Sequence, residues 1–85
     1  MDEQNLAAPP PTLGEKRVRV AFNPSKEDYV NDIKVAAANL IDVIDRAANK
    51  PKWSDETLNE WLRLKALAVT AAEEAAMWAV KAATI

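Results

Sequence analysis

Two lysines stand where a helix would surround them with apolar side chains. Lys34 is flanked at helical spacing by Val30, Ala37, Ala38 and Ile41, and Lys81 by Met77, Trp78, Ala82 and Ile85. Each ammonium must then either snorkel along its own stem to water or meet an anion. The plainer arrangement for both is a snorkelling amine paired with a nearby carboxylate. Upstream, Phe22 offers an aromatic face beside cationic side chains and extended backbone, a combination that stacks a base and holds its phosphate; a place in the core is the commoner use of phenylalanine. Asn23 can add a base-edge hydrogen bond or make the turn that precedes Pro24. The chemistry within reach is noncovalent recognition of an anion that carries aromatic rings.

Bond-breaking chemistry is much harder to assemble from this chain. It contains neither histidine nor cysteine, which removes the commonest general base, thiolate nucleophiles, disulfides and the usual zinc ligand sets. Ser25 and Ser54 sit where helix caps belong, and no nucleophile has a base at a useful spacing. Glu73 and Glu74 are adjacent, so a helix points them about 100° apart rather than at one substrate atom. Asp42 and Asp45 can join carboxylates of other subunits in a metal site, but a solvated acidic face is the simpler reading. We therefore expect no catalytic residue, no metal site, no cofactor and no enzymatic activity.

The elements that must position these residues follow from periodicity. Eighty-five residues make one small domain, in the size range where a single core stabilises by only a few kcal/mol without staples or oligomerisation. Residues Met1 to Glu15 carry Pro9, Pro10, Pro11 and the single glycine, Gly14. They read as a disordered or polyproline-like arm with neither core nor ligand contacts. Lys16 to Phe22 alternates charged and apolar residues, an extended segment with one buried face and Arg17 and Arg19 on the other. Asn23-Pro24 breaks it, and Ser25-Lys26-Glu27-Asp28 resembles a helix start. A broad apolar face follows through Val30, Ile33, Ala37, Leu40, Ile44 and Ala47, widened by Ile41 and Ala48. Asn49-Lys50-Pro51 ends that helix. Ser54 then caps a second helix that runs to the C-terminus, with Trp53 stapled onto Leu58.

Two helices with a short loop make an antiparallel hairpin, so the fold class is all-α: a two-helix hairpin over residues 16–85 with a short extended N-terminal segment. The second helix is the longer and overhangs the first. Counted back from the loop, Lys34 lies near Val69 and Thr70 and Lys81 lies level with Phe22 and Asn23, which assigns the two lysines to different pockets. Alanines on several faces of Glu73 to Thr84 leave that stretch without a solvent side, so we expect a homo-oligomer. A net charge of −2 argues against a coat for duplex nucleic acid. There is no apolar run long enough to span a membrane and no signal peptide at the acidic N-terminus, so a soluble cytosolic protein is expected. Two other readings use the same features: a structural oligomer or protein–protein adaptor, and a small nucleic-acid binder that uses Lys16, Arg17 and Arg19.

The residues FNPS (Phe22 to Ser25), Val30 with Ile33-Lys34, LID (Leu40 to Asp42) and EEAAMWAVKAAT (Glu73 to Thr84) together resemble the phage anti-CBASS protein two family, whose helical-hairpin domain is shared with the Thoeris anti-defence sponges. The likeness covers about residues 17 to 85, and its specific part is the C-terminal motif. It implies a homohexameric sponge that acts in the host cytoplasm and sequesters the cyclic oligonucleotide messengers of antiphage immunity without cleaving them. In such proteins cyclic dinucleotides lie between subunits, with an aromatic residue ahead of the first helix on a base and a lysine of that helix near the phosphates. Those roles would fall on Phe22 and Lys34. Cyclic trinucleotides would use a separate site near the C-terminus, with Lys81 and, beside it, Thr84. The proline-rich arm has no counterpart in that picture.

Overall fold

The computed structural model describes residues 9–85 apart from Asn49 and Pro51. The described residues form three helices and no strand: α1, Leu13–Val18; α2, Asp28–Arg46; and α3, Asp55–Ala83. The hairpin is α2 and α3, and α1 lies across it. Most of the expected arm, Met1 to Ala8, falls outside the described residues, as do Asn49 and Pro51 of the expected helix stop.

The N-terminal segment departs from the expected strand. Thr12 begins a reciprocal cap: its side chain accepts from the Glu15 amide at 3.1 Å, and the Glu15 carboxylate accepts from the Thr12 amide at 2.8 Å. Two orphan amides are thereby satisfied, and a helix starts where the alternation suggested extended chain. It lasts six residues, buries Gly14 and Val18 one turn apart, and ends at Arg19, whose φ of 60° is left-handed. That conformation costs a non-glycine residue about 1–2 kcal/mol. Hydrogen bonds from the Arg19 and Val20 amides to the Glu15 carbonyl, at 2.9 and 3.3 Å, offset it. Residues 12 to 15 therefore belong to the folded unit rather than to a free arm.

What seats α1 is the single glycine. A Cβ built on Gly14 would stand 2.0 Å from the Ala38 carbonyl oxygen, so the two backbones touch. The Gly14 amide donates to the Asp42 carboxylate at 2.7 Å, a charge-assisted bond at the positive end of a helix. Asp42 is an anchor for α1, then, and not part of a solvated acidic face.

Helix α2 starts later than Ser25. The Asn23 carboxamide accepts from Ser25 Oγ at 2.7 Å and the Lys26 amide at 3.0 Å and donates to the Glu27 carbonyl at 3.2 Å. This side-chain turn holds Ser25 and Lys26 outside the helix, and Glu27 becomes an N-cap without a side-chain hydrogen bond. The buried positions are Val30, Lys34, Ala38 and Ile41, with Ile33, Ala37 and Ile44 at their edge. Compared with the expected stripe the face is turned toward Lys34 and Ala38, because α1 covers that side; Leu40 is left half exposed. The helix ends at Arg46, and Ala47 and Ala48 lie exposed beyond it.

Ser54 caps α3 as expected, accepting from the Thr57 amide at 3.2 Å. Trp53 packs on Trp61, ring centroids 5.5 Å apart, one turn beyond the expected Leu58. Val69, Ala72 and Ala76 supply the α3 side of the core, facing Val18, Ala38 and Ile41. At 29 residues against 19 for α2, α3 does overhang its partner, by about 15 Å of helical rise. Gly14→Ala is expected to lower stability by about 1–3 kcal/mol through overpacking against backbone that has no rotamer to yield. Denaturant midpoints with helical circular dichroism check this, and an unchanged midpoint contradicts the contact.

Candidate functional site

The connection from α1 to α2 builds one wall of the site. After the left-handed turn at Arg19, the Phe22 amide closes back onto the Arg19 carbonyl at 2.9 Å. Beneath this loop runs the Lys34 side chain, 8 % exposed. Its Nζ donates to the Phe22 carbonyl and, at 3.2 Å, to the Arg19 carbonyl. The same nitrogen lies 5.3 Å from the centre of the Phe22 ring, and the Arg19 guanidinium lies 5.6 Å from it. So Lys34 does not snorkel to a neighbouring carboxylate, the plainer of the courses that spacing suggested. Among the described residues its partners are backbone carbonyls, and one of its three N–H directions is left for a further acceptor. Burial, and secondarily the nearby Arg19 charge, push its pKa below the ordinary lysine value.

Phe22 is 60 % exposed, a presented ring held by two cations rather than a core residue. Asn23 is occupied by the turn that delays α2, the structural role that its place before Pro24 also suggested.

Beside this wall a cleft of about 650 Å³ opens between α1, α2 and α3. Arg17, Arg19, Lys34 and Lys81 bring four cations to it, against two carboxylates from Glu73 and Glu74. Its apolar lining is Val18, Ala76, Met77 and Val80. Arg17 approaches Glu73 at 3.9 Å with both side chains nearly half exposed, a contact of at most about 1 kcal/mol that a stronger anion can displace. Lys81 is exposed, its Nζ 5.3 Å from the centre of the Trp78 ring. It also borders a shallower shelf with Trp78, Thr84 and Ile85. The Thr84 hydroxyl donates to the Val80 carbonyl at 2.8 Å and so closes the last turn of α3.

Lys34 and Lys81, assigned to different pockets on spacing, thus line one cleft. The reason is α1: as a helix it ends early and turns away, leaving the α3 surface from Thr70 to Lys81 open along about 16 Å of helical rise. Arg17 and Arg19, read as a solvated strand face, are the residues that sequence reasoning undervalued. The signal that could have found them is Thr12-Leu13-Gly14-Glu15, a capping box that places Arg17 in the last turn of α1 and Arg19 just past it.

The lowered pKa of Lys34 makes stability depend on pH. Between its folded value and the ordinary one near 10.5, the unfolded chain holds a proton that the folded chain has released, so stability rises with pH across that window and is flat below it. Lys34→Met abolishes this slope and leaves two carbonyls without their donor, at a cost of about 1–3 kcal/mol for a buried acceptor. Denaturant midpoints are expected to rise in the parent relative to the variant as pH climbs toward the ordinary lysine value near 10.5; curves that run parallel contradict the buried-cation account.

No curated protein and no solved structure matches the chain. A family model does: the one described as Acb2/Tad1, hairpin domain, aligns with residues 15–84. That span includes the whole hairpin, all of α1 but Leu13 and Gly14, and every charged residue of the cleft. With its two long helices, its cationic cleft and a match over most of its length, the chain belongs to the Acb2/Tad1 hairpin-domain family.

Proposed function

We propose that this protein is a phage anti-defence sponge that binds cyclic oligonucleotide messengers in the host cytoplasm and holds them without cleaving them. The observation that carries the reading is the cleft itself. Four cationic side chains surround an apolar lining, next to an exposed aromatic ring, which suits a ligand made of phosphates and bases. Membership of the Acb2/Tad1 family supports the anti-defence role. The absence of histidine and cysteine from the sequence favours a binder over a hydrolase.

Within this proposal Phe22 stacks on a base. Lys34 holds the Phe22 loop in place and offers its remaining N–H to a phosphate of a cyclic dinucleotide, while Asn23 shapes the loop and presents its outer edge. Lys81 and Thr84 serve a cyclic trinucleotide at the shelf that both border, and Arg17 and Arg19 add charge to the cleft. The functional unit is a homo-oligomer, with a hexamer the proposed form: Leu40, Val43, Leu62, Leu67, Met77 and Trp78 are all about half exposed, more large apolar surface than a free monomer commonly shows. Those same residues favour a second reading, a purely structural oligomer or adaptor without a nucleotide ligand.

Calorimetric titration with a panel of cyclic di- and trinucleotides separates the two readings, since only the sponge binds them. Ligand recovered after heat denaturation is expected intact, and sedimentation is expected to show no monomer at micromolar concentration. Lys81→Met should weaken trinucleotide binding at least about tenfold, as expected for one charge-assisted phosphate contact. Linear product in proportion to protein overturns the sponge, and a folded monomer overturns the oligomer. Loss of every ligand in both Lys34→Met and Lys81→Met points to one shared cleft rather than two sites.

A further inference from the structure

Phe22 has a second neighbourhood that Lys34 does not line. A groove of about 740 Å³ is lined by Pro9, Pro10 and Pro11 together with Val20, Ala21 and Phe22, and Lys16 and Arg19 border it as well. Glu15 also borders this groove, but its carboxylate is tied back to the Thr12 amide. Arg19 lines both this groove and the cationic cleft, so the two meet at the Phe22 loop.

The proline wall is held at one end and stiff along its length. Thr12 is locked by the reciprocal cap with Glu15, and Gly14 is pinned to Asp42 and pressed on Ala38. The chain therefore leaves α1 in a set direction. Each proline fixes its own φ and restricts the residue before it, so that direction is carried back through three residues as an extended rod of about 9 Å. Prolines also lack N–H groups, so this wall offers rings and carbonyls but no donors for pairing with a peptide strand. A groove lined by pyrrolidine rings and a phenyl ring, with cations beside them, suits a planar ring attached to an anion.

We infer that Pro9, Pro10 and Pro11 form a wall of the nucleobase site, so that one purine of a cyclic dinucleotide is held between the proline rings and Phe22 while Arg19 and Lys16 meet its phosphate. This rests on the sponge reading and adds the arm to it, reversing the expectation that the arm makes no ligand contact. Because the wall is already stiff, the bound base orders little additional chain, and softening the wall should weaken binding.

The test uses the full chain, with cyclic di-AMP and cyclic GMP-AMP as probes. A variant carrying Pro9→Gly, Pro10→Gly and Pro11→Gly keeps the length and removes the stiffness and the rings. It should bind about tenfold more weakly by calorimetry, at unchanged helical content and oligomeric state. In the parent, the purine ring current should move the ring-proton resonances of Pro10 and Pro11 upfield on saturation, a readout that does not depend on any variant folding. Equal affinity of parent and variant overturns the inference and leaves the sponge reading standing. Weaker binding without any proline shift also overturns it, since general loosening would then explain the loss. If neither probe binds the parent, the site for purine cyclic dinucleotides fails and the proline wall fails with it.

Discussion

The backbone contact between Gly14 and Ala38 is the constraint on which the rest of this molecule depends. Only hydrogen fits between the Gly14 Cα and the Ala38 carbonyl, so α1 lies on α2 at a distance that no other residue permits. From that seat the chain is committed in both directions. Backward, Thr12 and the prolines leave along one side of the Phe22 loop; forward, Arg17 and Arg19 reach the cleft over α3. Asp42 holds the seat electrostatically, and the small core residues Ala38, Ala72 and Ala76 let three helices approach around it.

Lys34 shows how a buried cation can be satisfied without a carboxylate. The left-handed residue Arg19 turns carbonyl oxygens inward at the end of α1, and the Lys34 amine accepts the task of partnering two of them. Burial opposes its charge; the carbonyl dipoles and the Phe22 ring favour it. The arrangement couples a loop to the second turn of α2, so Phe22 is presented on a braced loop rather than a free one. A ligand-stacking ring gains from such bracing because less conformational freedom is lost on binding.

Much of the hairpin was legible because its signals are local. Ser54 followed by Asp55 and Glu56 marks a helix start, and the 3.6-residue recurrence in α2 and α3 gives both helices and their antiparallel relation. The family likeness carried by Phe22 to Ser25 and Glu73 to Thr84 was legible for the same reason, since it lies in contiguous residues. Lys16 to Phe22 misled because a period of two over so few residues is weak beside a reciprocal cap. The cap at Thr12 and Glu15 was hidden by the prolines in front of it, which suggested a free arm. At Ser25 two local motifs competed, and the Asn23 turn prevailed because the carboxamide satisfies several backbone and side-chain groups at once.

By itself the sequence determined an all-helical hairpin, its loop end, a set of surrounded lysines and the lack of the usual catalytic side chains, since each follows from residue type or from spacing within a helical turn or two. The tertiary structure decided what those residues meet. Lys34 finds a carbonyl 15 positions earlier, and Asp42 finds an amide 28 positions earlier; Lys34 and Lys81 come to share a cleft only because α1 turns away at Arg19. None of these partners is encoded by periodicity, because each depends on how closely two backbones can pass, and that distance was set by the absence of a single methyl group at Gly14.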